Sequence, residues 1–365
     1  MLKKITNQTT FESIEVLRFP LMILVVFIHV IPPESYPIQL RWDADSIYTL
    51  FTELISHLAG RIAVPSFFLF SGYFFFLKLH SFNTRIYIRQ IRNRWRTLMI
   101  PYLFWVLLYV LLVVIKNLVL SKLGVREDDM YAEIKDGHYY EVLWGGPLLF
   151  PFWYIRDLIC MVVLTPLFYL LFKYLKVLGL LLLVIIYLMV WELNVPGLGT
   201  TAFLFFGAGA FLGQHKYDLM ALGLNYKSWI VSAAVIFLAI AAYYNATPFY
   251  EYWIHPFVLF GVAAVLCAGN VLVKTVKLKS HLLNLSSSVF FIYAVHSIYI
   301  INWLKGGFSK SSLSGQAWGR LLIYFTVPII CLLICMCLYQ LMKKYLPKLL
   351  ALSTGGRIAV KPVKD

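Results

Sequence analysis

The stretch Glu15-Val-Leu-Arg18-Phe-Pro-Leu-Met-Ile-Leu-Val-Val-Phe-Ile-His29 decides how this chain is read. On an α-helix the eleven-residue step from Arg18 to His29 advances about 16 Å and returns within roughly 20° of the same face. Glu15, three residues before Arg18, falls near the same stripe. One strip thus carries an acid, a permanent cation and a titratable base through an otherwise apolar segment. Each ionisable group in a membrane span costs about 2.5–3.5 kcal/mol on insertion scales, so a function or a partner is expected for it. Pro20 removes one backbone hydrogen bond within this segment and predicts a kink.

The rest of the chain supports a membrane setting. Of its 365 residues, 61% are hydrophobic and 13% charged, with mean hydropathy +0.78. A soluble domain holds about 45–50% apolar and about 25% charged residues. An all-α integral membrane protein of about ten transmembrane helices is expected, with spans near 13–31, 55–77, 98–120, 152–172, 177–192, 199–214, 228–245, 253–273, 285–304 and 318–342. Residues 1–345 would form the membrane domain and 346–365 a short basic cytoplasmic tail. All five cysteines fall inside these spans and read as small buried apolar residues, with no metal-type spacing to histidine. No cleavable leader is expected after Lys3 and Lys4.

The net charge of +15 would suit nucleic acid, but its distribution gives it another meaning. With the N-terminus placed in the cytoplasm, 21 Lys and Arg residues fall on the inner side and 8 on the outer side, while Arg18, Arg61 and Arg156 are intramembrane. The acidic residues lie mostly outside. This is the positive-inside pattern, and it puts both termini in the cytoplasm. No nucleic-acid partner is implied; the lipid bilayer is the expected surrounding. Two outer loops are longer than a turn, 32–54 and 121–150, and both mix aromatic residues with acids, as a sugar-binding lip or an interfacial belt does.

Packing the expected spans gathers polar groups at three depths. His29, His57, Arg61, Trp153, Arg156 and Asp157 share the outer third, and His296, preceded by Tyr293, lies at mid-depth. Glu15 and Arg18 sit near the inner end, above the basic run Arg85, Arg89, Arg92, Arg94 and Arg96. Arg156 and Asp157 are adjacent, point about 100° apart on a helix, and are not expected to pair; Asp157 is a candidate partner for Arg61 instead. His57 reads as a histidine satisfied at an interface. Gly209 and Gly213 are spaced for close helix packing.

At this point the sequence resembles the membrane acyltransferase 3 family. The carrying features are Glu15, Arg18 and His29 in the first span; Arg61-Ile-Ala-Val-Pro65-Ser-Phe-Phe-Leu-Phe-Ser71-Gly72-Tyr73 in the second; and the basic stretch entering Pro101-Tyr102. They continue with Phe152-Trp153-Tyr-Ile-Arg156-Asp157-Leu opening the fourth span, and Ser288-Val-Phe-Phe-Ile-Tyr293-Ala-Val-His296 near the end. The resemblance implies transfer of an acyl group, usually acetyl from acetyl-CoA, to a hydroxyl of a cell-surface or lipid-linked glycan. It also implies a bacterial cytoplasmic membrane location and no metal.

The chemistry of the residues fits that expectation. Arginine binds phosphate in bidentate fashion and keeps its charge. Arg89, Arg92 and Arg96 are therefore the expected clamp on the phosphates of acetyl-CoA, although such runs also arise from topology alone. A sugar hydroxyl needs a base within hydrogen-bond reach. His29 is the expected catalytic base or acyl carrier, with Arg18 and Glu15 as its catalytic partners. Arg61, Trp153, Arg156, Asp157, Tyr293 and His296 are the expected substrate or tunnel residues. The competing reading is a polysaccharide exporter of the same family, because intramembrane charges and a through-going polar track suit transport equally well.

Overall fold

The computed structural model describes residues 7–32, 34–79, 83–124, 129–221 and 226–356. Lys3 and Lys4, the outer acids Glu127 and Asp128, and the last part of the basic tail, 357–365, lie outside the described residues. The chain is helical throughout, with no strand among the described residues. The elements that position the site are α1 (Asn7–Ile28), α2 (Ala44–Leu77), α3 (Thr84–Lys122), α4 (Phe150–Val163), α5 (Thr165–Tyr174), α6 (Val177–Leu188) and α7 (Thr200–Gln214). They continue with α8 (Lys227–Tyr243), α9 (Tyr250–Leu272), α10 (Val276–Ser286), α11 (Val289–Ser309), α12 (Ala317–Tyr345) and α13 (Pro347–Thr354).

Among the described residues five helices are long and apolar enough to cross a membrane: α2, α3, α9, α11 and α12. The bent pair α4 and α5, which meet at 56°, makes a sixth if it crosses as one span. This is a multi-pass membrane protein. The bend falls where Pro166, near the start of α5, cannot continue the ladder of α4. The other expected spans differ in kind. Helices α6, α7 and α8 hold 12, 15 and 17 residues, short of the roughly 20 that cross a bilayer upright. Helix α1 has 22 residues but carries Glu12, Glu15 and Arg18, so its composition is not that of a simple span.

Helix α1 is the axis of the bundle. It packs against α2, α9, α10, α11 and α12. Its residues Ile14, Val16, Leu17, Leu21, Met22, Val25 and Val26, spread over more than one face, are all buried. A helix with three charges is tolerated at membrane depth when protein rather than lipid surrounds it. It runs unbroken through Pro20 and ends before His29, whose N–H bonds the Val26 carbonyl three residues back at 3.1 Å. His29 is thus in the turn after the helix, where Pro32 stops further winding.

Helices α2 and α7 approach backbone to backbone. A Cβ on Gly72 would stand 2.1 Å from the Phe206 carbonyl oxygen, and one on Gly209 would stand 2.1 Å from that of Leu69. Gly213 is equally pressed, 2.6 Å from the Tyr73 oxygen. The first half of the tail is not loose: α13 docks on α3, with the Trp105 indole N–H donating to the Ser353 carbonyl at 2.8 Å.

Candidate active site

The site begins at the end of the bundle that holds the first turns of α1. A cavity of about 1070 Å³ opens between α1, α2, the start of α3, α4, α10 and α11. Its outer wall carries Glu12, Glu15, Arg18, Arg94 and Lys279, and its deep end is closed by Tyr154, Phe290 and Tyr293. Gly356, just past α13, also stands at its edge.

The charges on this wall are not equivalent. Arg18 pairs with Glu15 at 2.9 Å, and Glu15 also accepts the Ser286 hydroxyl at 3.0 Å. Lys279 of α10 pairs with Glu12 of α1 at 2.5 Å. Arg94 has no carboxylate within 4.0 Å among the described residues; its guanidinium stands 5.8 Å from the centre of the Phe75 ring. A guanidinium held against an aromatic face beside a cavity keeps its hydrogen-bond donors for a ligand.

The arginines expected as the donor clamp, Arg89, Arg92 and Arg96, are exposed and stand outside this wall. The sequence held the signal that separates them. Tyr87, Ile91, Arg94 and Leu98 recur at three- and four-residue spacing, and that stripe is the one α3 turns inward.

Beyond the cavity the path continues through side chains. The Tyr293 hydroxyl donates to the Pro151 carbonyl, and its ring stacks on Phe152 with centroids 5.4 Å apart. One turn further along α11 lies His296, fully buried, 6.3 Å from Tyr293 ring to ring. Its ring centre is 5.2 Å from that of His29. The residues from the two ends of the sequence therefore meet. His29 also meets the edge of Phe150, at 6.3 Å, and Lys305, whose ammonium donates to the His29 carbonyl at 3.3 Å. Lys305 and Phe150 were not anticipated from the sequence, because only the fold brings them to His29.

The helix carrying His296 breaks immediately after it. Ile298 and Tyr299 leave helical geometry, Tyr299 with φ of +62°. A positive φ in a tyrosine is costly, about 1–3 kcal/mol, and such strain gathers at functional sites. Irregular backbone at membrane depth is tolerated where protein buries it or a cavity receives it.

The remaining expected site residues are elsewhere. Arg61 is half exposed and pairs with Glu251 at 3.5 Å, not with Asp157, and lies 5.9 Å over the Tyr250 ring. Arg156 and Asp157, expected not to pair, do pair: the guanidinium reaches Asp157 at 2.8 and 2.9 Å. The side chains fold back toward each other because burial leaves neither charge a better partner. Arg156 also donates to the carbonyls of Trp144 and Gly145, at 3.0 and 2.5 Å, fastening the segment before α4 to that helix. Trp153 is half-buried beside them at the start of α4. His57 bonds Glu53 at 2.7 Å and faces the Pro32 carbonyl at 3.1 Å, in a clamp with Asn245 that ties the segment between α1 and α2 to the bundle.

Comparison with known proteins bears on this arrangement. An acyltransferase domain family matches residues 11–340, which include every charged and histidine side chain of the site described above. This chain belongs to the acyltransferase 3 family. It is also similar to the succinoglycan biosynthesis protein ExoH of Rhizobium meliloti (strain 1021), at 25% identity over 361 residues, which are 95% of this chain and 93% of that protein. No solved structure matches the chain. The matched region holds both the charged cavity wall and the His29–His296 pair. Among the described residues no three His, Cys, Asp or Glu side chains group as metal ligands would.

Proposed function

We propose that this protein is a membrane O-acyltransferase that takes an acyl group, acetyl in the simplest case, from cytoplasmic acyl-CoA and passes it to a hydroxyl of a cell-surface or lipid-linked glycan. The observation that carries the reading is the cavity, with a carboxylate-free Arg94 on its wall and its deep end one helical turn from a histidine pair. Coenzyme A is a phosphate-bearing anion with a long flexible arm. Its phosphates are suited to Arg94 and Arg18, and the arm to the apolar walls leading to Tyr293. The exposed Arg89, Arg92 and Arg96, on the same helix as Arg94, add positive potential that raises the local concentration of an anionic donor.

In this reading His29 is the general base. It takes the proton of the acceptor hydroxyl as the hydroxyl oxygen forms its bond to the thioester carbon. The carbon–sulfur bond breaks, and the thiolate recovers the proton as free coenzyme A. Lys305 and Phe150 mark the side from which the acceptor approaches. A glycan acceptor is supported by the similarity to a protein named for succinoglycan biosynthesis. The topology that goes with this function has ten membrane crossings, short helices α6–α8 included, with both termini in the cytoplasm of a bacterial cell membrane. The positive-inside charge pattern supports it.

The test is mass spectrometry of surface glycans from cells carrying the wild-type chain, cells carrying His29→Ala and cells lacking the gene. Acyl groups on the glycan with wild type alone, at unchanged glycan export, are expected. Loss of the glycan itself from the deletion strain, with no acyl difference, would replace the enzyme by an exporter.

A further inference from the structure

We propose that His296 is a positioning residue of this acyltransferase, which sets the tautomer and orientation of His29. The proposal rests on the reading of His29 as the base. His296 is completely buried, and its Nδ1 lies 3.1 Å from the Ile292 carbonyl and 2.8 Å from that of Tyr293. Carbonyl oxygens only accept, so Nδ1 carries the proton. In the neutral ring Nε2 is then a bare acceptor, and it has no hydrogen-bond partner among the described residues. A buried acceptor left without a donor is costly, about 1–3 kcal/mol, and in a folded protein it calls for an explanation.

The explanation is at hand in the neighbouring ring. The ring contacts of His29 among the described residues are with His296 and Phe150, and the third neighbour, Lys305, only donates. His296 alone of these can accept an N–H from His29. The ring centres are 5.2 Å apart. Ring nitrogens stand about 1.1 Å from the ring centre, so when side-chain rotation sets one nitrogen of each ring on the line between the centres, N–H and Nε2 stand about 3 Å apart, a hydrogen-bond distance.

Once that bond forms, the other nitrogen of His29 holds the lone pair and is left to take the acceptor's proton. His296 thus does for His29 what a carboxylate does for the histidine of a hydrolytic triad. Here a fixed neutral imidazole, anchored by two backbone carbonyls, avoids placing a further charge at membrane depth. The backbone break at Ile298 and Tyr299 follows directly and leaves this ring at the end of its helix.

The test compares two amides at this position in purified protein reconstituted with acyl-CoA and glycan acceptor. In His296→Gln the amide oxygen reaches the place of Nε2. In His296→Asn the amide reaches only the carbonyls of Ile292 and Tyr293. Both are polar and both are checked for folding by thermal melting. The expected result is a kcat at least about 10-fold lower in His296→Asn, an unchanged donor KM, and recovery of most of the loss in His296→Gln. Equal losses in both variants at equal melting temperature, or no loss in either, would overturn the proposal while wild-type turnover leaves the acyltransferase reading standing. A wild-type protein that transfers no acyl group would remove both.

Discussion

At the residue scale the account turns on which cations are engaged and which are free. Arg18 and Lys279 have carboxylate partners, whereas Arg94 has none among the described residues and faces the cavity. A charge-assisted bond is worth about 1.5–3 kcal/mol, so Arg94→Ala should raise the donor KM roughly 10- to 100-fold with little change in kcat. Arg92→Ala, on the exposed face, should leave KM within about 2-fold. Steady-state kinetics on the two variants check both statements. An unchanged KM in both would return the whole basic run to a topology signal, and equal rises would extend the donor site to Arg92. The helical repeat put Glu15 and Arg18 on one stripe, and they pair there, whereas His29, expected on the same stripe, falls in the turn after α1. The sequence also held the inward phase of Arg94, in the Tyr87, Ile91, Leu98 spacing. The approach of His296 and Lys305 to His29 was beyond it, since they are more than 260 positions away and only helix packing joins them.

At the scale of elements, two contacts carry predictions about stability rather than chemistry. The buried Arg156–Asp157 pair fastens Trp144 and Gly145 to α4. Arg156→Leu strands a buried carboxylate and two carbonyls, and should cost about 3–5 kcal/mol. It should be read as a lower melting temperature, without a selective change in donor KM. Gly209 lets α7 touch α2, and a side chain there meets the Leu69 oxygen at 2.1 Å. Gly209→Val should cost about 1–3 kcal/mol or more through overpacking, again seen as a lower melting temperature in detergent. The close packing of Gly209 and Gly213 was legible from their spacing. The Arg156–Asp157 pairing was not, because helical phase describes where Cα–Cβ bonds point, while long side chains bend back when burial removes water as an alternative. The short helices α6–α8 were visible as apolar stretches, but hydropathy alone does not fix how far each one reaches across a bilayer.

For the whole molecule the claim is directional: a donor enters from the end holding the first turns of α1, and an acceptor is served at the end holding His29 and Phe150. That requires the loop with Asp136 to be outside and the start of α10, with Lys277, to be inside. Both positions are exposed. In a background where the exposed Cys337 is replaced by Ser, a membrane-impermeant maleimide added to intact cells should label Asp136→Cys and spare Lys277→Cys. The reverse pattern would invert the assigned topology. The most direct test of the central claim is acyl transfer itself, followed with labelled acyl-CoA and a glycan acceptor in proteoliposomes of the wild type and His29→Ala. The account predicts labelled glycan with the wild type and none with a folded His29→Ala protein. Label that reaches the glycan equally with both, or with neither, would contradict it.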